Sequence, residues 1–202
     1  RMPSRGLGDV YKRQIVESPK PGYFDRSLSQ LGMDGCASAP TPGLKEWNNP
    51  KFVASQNHTP LDPTKHSKYR SGCGKLQYPV GKRFDYSYEL KMLGRKLHQP
   101  SEFDLTKLKR VLRYVSGTKD YVLTLKKPNT QDINTLRGFS DSDWANDVTD
   151  RKSTSVGHVT WGGFLISHYS RTQDLQSLSS PTSEFYAACS VAAELLLSLI
   201  HI

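Results

Sequence analysis

The spacing of apolar residues changes partway along the chain. Up to about residue 116 they recur every three or four positions, the period of an amphipathic helix; from Tyr121 they fall into short blocks and alternations of strand type. In the first part, Phe24, Leu28 and Leu31 predict a short helix over 25–33, stopped by Gly32. Three helical pieces are predicted over 67–116. Tyr69 to Tyr78 is short and weakened by Gly72 and Gly74. Tyr86 to Leu97 sets Leu90, Leu93 and Leu97 on one face. The third opens with Ser101-Glu102-Phe103-Asp104, an acid three residues after a serine, as in a helix-start box. Its apolar stripe is Leu105, Leu108, Val111, Leu112 and Val115; Lys107, Lys109, Arg110 and Arg113 lie mostly off it, and Gly117 is its stop. Apart from the helix over 25–33, residues 15–63 read as a connector rich in Pro, Gly, Ser and Asn, with turn chemistry at Pro40-Thr41-Pro42-Gly43.

In the second part, Tyr121 to Leu125 predicts a strand ended by Lys126-Lys127-Pro128-Asn129, and Leu136 to Ser140 a second. Ser155 to Trp161 and Phe164 to Tyr169 flank Gly162-Gly163, a pair that favours a tight hairpin. Thr182 to Leu196 predicts a helix, with Ser180 or Thr182 as its cap and Pro181 in its first turn. The expected class is α+β, a mixed α/β chain with helices first and an antiparallel sheet after them.

Composition adds limits. Hydrophobic residues make up 36%, and Pro 12 with Gly 15 suggest a loop-rich chain. A formal charge of +9 favours a polyanionic partner such as nucleic acid. Cys36, Cys73 and Cys189 are far apart, with no CxxC or Cys/His cluster, which argues for reduced thiols and against zinc or a disulfide framework. No apolar run approaches the roughly 18 residues of a membrane span, and the N-terminus carries no secretory signal pattern. Residues 4–14 can be encoded by the transposase adapter used in sequencing libraries. Residues 197–202 can be encoded by the complementary strand of its end. Residues 1–14 and 197–202 are therefore expected to be translated adapter, outside the fold; leaving out 1–14 lowers the charge from +9 to +6.

The candidate chemistry centres on Gly138-Phe139-Ser140-Asp141-Ser142-Asp143-Trp144-Ala145, where a strand delivers Asp141 to a loop. A second acid, Glu184, follows in the first turns of the helix after Ser179-Ser180-Pro181-Thr182-Ser183. Two-metal phosphodiester hydrolysis needs carboxylates converging on ions about 4 Å apart, and a strand-end Asp with a helical Glu can supply two of them. Taken bare, the same residues read more readily as surface carboxylates on a loop and a helix. Asp143 shares a face with Asp141 only if the strand stays extended. Arg151 and Lys152, with the hydroxyls of Ser153 and Thr154, suit a phosphate grip or a polar loop paired with Asp147 or Asp150. The basic face Lys107, Lys109, Arg110 and Arg113 suits a solvated surface or a track for a phosphate backbone.

Four motifs in one order carry a resemblance: Gly138 to Ala145, then Asp150-Arg151-Lys152-Ser153-Thr154-Ser155, then Ser170-Arg171-Thr172-Gln173, then Ser179 to Tyr186. They resemble the ribonuclease H domain of copia-type LTR-retrotransposon Pol polyproteins. Upstream, Tyr69-Arg70-Ser71, Gly74-Lys75-Leu76, Arg83-Phe84-Asp85 and Leu108 to Tyr114 with Gly117-Thr118-Lys119 resemble the connection between reverse transcriptase and ribonuclease H. Leu31-Gly32-Met33 and Thr41-Pro42-Gly43 resemble the tail of the polymerase domain.

The resemblance implies a reverse transcriptase tail over 15–66, a helical connection over 67–125 and the N-terminal part of a ribonuclease H-like domain over 126–196, a truncated sheet of three antiparallel strands followed by its first helix. It implies cleavage of the RNA strand of an RNA–DNA hybrid with two Mg²⁺ ions held by four acids. Asp141 would be the first acid and Glu184 the second; the third and fourth are expected beyond Leu196, so the chain by itself is expected to be inactive. Implied partners are the hybrid and the rest of the polyprotein, with no membrane and no small-molecule cofactor, in a cytoplasmic particle or the nucleus. The sequence departs from the family pattern at Asp174 and Gln176, at Ser155-Val156-Gly157 and at Pro79-Val80. The alternatives are a non-catalytic basic nucleic-acid-binding module and a transcript product without function.

Overall fold

The computed structural model describes residues 14–126, 134–145 and 150–201. The expected adapter residues 1–13 and 202, the strand-ending Lys127-Pro128-Asn129 and the loop acid Asp147 lie outside them. The chain divides into two compact units: Ser18–Val122, and Leu123–Ile202 together with a short N-terminal strand.

The first unit is helical: α1 (Tyr23–Gln30), α2 (Pro50–Ala54), α3 (Pro63–Gln77), α4 (Ser87–Gly94) and α5 (Glu102–Gly117), with 3₁₀ turns at Lys45–Asn48 and Phe84–Tyr86. α1 ends where Gly32 takes φ +69. Met33 N–H donates to Leu28 O and Gly32 N–H to Ser29 O, both at 2.9 Å, which satisfies carbonyls the last turn would leave open. α3 is longer than the predicted 69–78. Asp62 accepts from Lys65 N–H at 2.9 Å and Pro63 fills the first position, so capping starts the helix six residues earlier than its apolar pattern does. Gly72 does not end it, because a Cβ there would come within 2.9 Å of Leu108 Cδ2; the glycine lets α3 and α5 close on each other. α4 is shorter than predicted: it stops at Gly94 and leaves Leu97 outside the core. α5 has the predicted start, with Ser101 and Asp104 capping each other reciprocally. Leu108, Val111, Leu112 and Val115 are buried as the stripe requires, against Phe24 and Leu28 of α1 and Tyr69, Cys73 and Leu76 of α3. Residues on both sides of the expected 66/67 division therefore share one core.

The second unit holds two sheets. β1 (Gln14–Glu17) pairs antiparallel with β2 (Leu123–Lys126), Ile15 opposite Leu125. β2 is the predicted strand. β1 departs from the expectation: Gln14 falls in the expected adapter and the rest in the expected connector, and four residues are too short to show a period. The larger sheet runs β3 (Leu136–Asp143), β4 (Thr154–Trp161), β5 (Phe164–Thr172), all antiparallel. Gly162 and Gly163 take φ +55 and +88 in the two-residue turn between β4 and β5, the positive pair that such hairpins require. α6 (Ser180–His201) covers one face of this sheet, around Val159, Tyr169 and Val191. It runs on through Leu197 to His201, residues the adapter reading leaves out of the fold. Its cap is neither Ser180 nor Thr182 but Ser179, whose Oγ accepts from Thr182 N–H.

Candidate active site

β3 is an edge strand of the β3–β4–β5 sheet, and its alternation fixes what lies on each side. A Cβ on Gly138 would collide with Val191 Cγ1 and come within 2.8 Å of Leu195 Cδ1. Leu136, Gly138, Ser140 and Ser142 therefore face α6, while Arg137, Phe139, Asp141 and Asp143 face the other way. Phe139 is 56% exposed on that outer face and Asp141 is exposed beside it. The strand stays extended through Asp143, so Asp143 shares the face of Asp141.

Glu184 lies seven residues before Val191, two turns up the same stripe of α6. Helix and strand run in opposite senses, since Trp144 Nε1 donates to Ser177 O at 2.9 Å just past the end of β3. Seven helical residues rise roughly 10 Å, and three strand residues cover roughly the same length. Glu184 and Asp141 thus lie toward the same end of β3, on opposite sides of its backbone. Glu184 is half-buried. Ser142 Oγ, on the α6 side, is buried with no hydrogen-bond partner. Among the described residues, no group of three or more His, Cys, Asp or Glu is gathered to hold a metal ion.

The last residue of the Ser170-Arg171-Thr172-Gln173 motif ties this region together. Gln173, just after β5, is buried; its Nε2 donates to Ser155 Oγ on β4 and to Ser183 O in the first turn of α6, both at 2.9 Å. Its Oε1 accepts from Ser177 Oγ at 2.7 Å, and its N–H donates to Ser153 O at 2.8 Å. A buried glutamine that spends its amide on three segments is a positioning residue for the turn that carries Glu184. The signal was a lone Gln in a polar stretch, which has no period to betray burial.

The Arg151–Thr154 segment is divided. Ser153 is 1% exposed and its Oγ accepts from Ala145 N–H at 3.1 Å; Thr154 is buried as well. The Ser153 hydroxyl is used to hold the loop. Lys152 N–H donates to Asp150 Oδ1 at 3.0 Å, and Arg151, at φ +56, is exposed.

The basic face of α5 is also largely occupied. Lys107 Nζ lies 4.5 Å from the Phe103 ring centroid and 5.5 Å from that of Trp47. Arg110 Nη2 donates to Thr41 Oγ1 at 3.0 Å, and Arg113 Nε to Ala37 O at 2.8 Å. These three cations fasten the segment 37–47 onto α5, and Lys109, like Arg113, is exposed.

The chain is 36% identical over 163 residues to the retrovirus-related Pol polyprotein from transposon RE2 of Arabidopsis thaliana, an alignment covering 76% of this chain and 11% of that polyprotein. It is 35% identical over 167 residues to the Pol polyprotein from transposon RE1 of the same plant, covering 78% and 10%. An uncharacterized mitochondrial protein of A. thaliana is 34% identical over 173 residues, covering 86% of this chain and 68% of that protein. No family model and no solved structure matches. The chain spans about a tenth of the length of the Pol polyproteins it matches. With the four ordered motifs and these relatives together, the chain belongs to the retrovirus-related Pol polyproteins of copia-type transposons.

Proposed function

We propose that this chain is the part of a retrotransposon Pol polyprotein that joins reverse transcriptase to ribonuclease H, and that its second unit contributes to cleaving the RNA strand of an RNA–DNA hybrid. What supports the reading is the order of three antiparallel strands and a helix, with Asp141 on the first strand and Glu184 in the first turns of the helix.

Carboxylates are the hard donors that Mg²⁺ takes. Asp141 and Glu184 suit one or two positions around such an ion, with Asp143 beside Asp141. They fall short of a set for two ions held about 4 Å apart, which needs more carboxylates than these two. The chain alone is therefore inactive in this proposal, and catalysis belongs to the polyprotein. The rival reading, a binding module built on the basic face of α5, is weakened by the use of Lys107, Arg110 and Arg113 within their own unit.

The test compares the polyprotein containing this sequence with the chain by itself on a labelled RNA–DNA hybrid in Mg²⁺. Asp141→Asn and Glu184→Gln should each remove RNA cleavage from the polyprotein and leave its DNA synthesis in place; the chain alone should not cleave. Wild-type cleavage by both variants would overturn the assignment of the acids. Cleavage by the isolated chain that Asp141→Asn abolishes would overturn its inactivity.

A further inference from the structure

The helical unit carries a cleft of about 360 Å³ lined by Lys20, Tyr23, Arg26, Ser27, Gln30, Lys75 and Tyr78. Three of these are cations and none is a carboxylate. Lys65 and Lys119, by contrast, each have an acid partner, Glu102 and Asp25. The cleft is also braced. Tyr23 OH donates to Lys75 O at 2.9 Å, Lys75 Nζ donates to Gln30 Oε1, and Ser27 Oγ donates to Tyr23 O at 2.8 Å. The rings of Tyr23 and Tyr78 lie 5.2 Å apart and tilted by 32°, and Tyr78 remains 63% exposed. One side of an aromatic pair is therefore open, at the rim of a cation-lined cleft.

We propose that this cleft binds a single nucleic-acid strand, with phosphate groups at Lys20, Arg26 and Lys75 and a base stacked on Tyr78. Phosphate explains the cations, and a flat partner explains an exposed tyrosine backed by a second ring; an acidic peptide would satisfy the first feature and leave the second unused. Strand binding of this kind is tolerant of sequence, because every base has a face to stack. The site lies in a different unit from Asp141 and Glu184 and does not depend on the hydrolytic reading.

The test uses the whole chain and fluorescence anisotropy with a fluorescein-labelled oligothymidylate, titrated over a range of KCl. Tyr78→Ala should weaken binding by about fivefold or more, the low end for loss of one base–aromatic stack. Arg26→Gln with Lys75→Gln should lower the slope of log affinity against log salt by about 1.4, two phosphate contacts on a single strand. Lys51→Gln, an exposed cation on α2, should change neither. Unchanged affinity in Tyr78→Ala and an unchanged salt slope in the double variant would overturn the proposal. Displacement of the strand by oligoglutamate at equal charge, with Tyr78→Ala silent, would overturn it in favour of a general anion site. Asp141→Asn leaves this assay unaffected, so failure of hybrid cleavage and failure of strand binding are read separately.

Discussion

Replacing Arg83 by methionine should destabilise the helical unit by about 3 kcal/mol. The Arg83 side chain is 2% exposed. Nε and Nη2 donate to the two carboxylate oxygens of Asp85 at 2.9 and 2.8 Å; Nη1 and Nη2 donate to Thr118 O and Thr118 Oγ1, each at 2.8 Å. The rings of Phe24, Tyr86 and Tyr121 lie 5.4–5.7 Å from the guanidinium carbon. One side chain thus joins the entry to α4, the end of α5 and the core of α1. Removing one partner of a buried pair costs about 3–5 kcal/mol, because the other charge is left uncompensated. The lower end applies here, since Asp85 is 28% exposed and keeps the Tyr114 hydroxyl at 2.8 Å. With a urea slope of about 1.5 kcal/mol/M for a unit of this size, the midpoint followed by helical circular dichroism should fall by about 2 M.

The pair also sets a pH dependence. Burial alone would raise the Asp85 carboxyl, but the hydrogen bonds from Arg83 and Tyr114 outweigh it and hold the group below the usual 3.8. A carboxyl lowered on folding gives stability that is complete above its unfolded value and lost as pH falls through the folded one. Wild-type stability should therefore drop as pH falls below about 4, and Asp85→Asn should flatten that part of the decline. A midpoint shift under about 0.3 M for Arg83→Met, or an acid limb unchanged in Asp85→Asn, would refute the reasoning.

Other outcomes follow from the second unit and from the caps. Gly138→Val drives a side chain into Val191 and Leu195 and should cost about 1–3 kcal/mol by overpacking; faster amide exchange across 187–195 is the readout, and unchanged protection would contradict the contact. Gln173→Ala strips Ser183 O of its buried donor and should cost about 1–3 kcal/mol, with exchange rising first in the opening turn of α6; a variant as protected as wild type would remove Gln173 from its positioning role. Ser101→Ala should lower the stability of the helical unit by about 1 kcal/mol through loss of the α5 cap, seen as a urea midpoint shift with the slope unchanged.

What the sequence made legible follows the range of the forces involved. α5 was readable because its stripe and its Ser101–Asp104 box agree, and the β4–β5 hairpin because Gly162-Gly163 admits the backbone that few other pairs do. The start of α3 at Pro63 was hidden by an apolar pattern that begins later than the Asp62 cap, and β1 by its length and by the absence of any local mark of its pairing with β2. The cations of α5 were visible, yet their partners Ala37, Thr41 and Trp47 lie far away in sequence, so solvated and engaged residues looked alike.

The same limit governs the candidate site. Period-two alternation placed Asp141 and Asp143 together once the strand was known to run to 143, but the side of the sheet that α6 covers is decided by Gly138, whose missing side chain admits Val191 and Leu195. That choice puts Asp141 on the face of β3 turned away from α6. In the proposed reading, two acids are an incomplete set of ligands for two ions. The polyprotein and the isolated chain must therefore differ in activity if the assignment is right, whereas acids that merely decorate a surface would leave both silent to Asp141→Asn and Glu184→Gln.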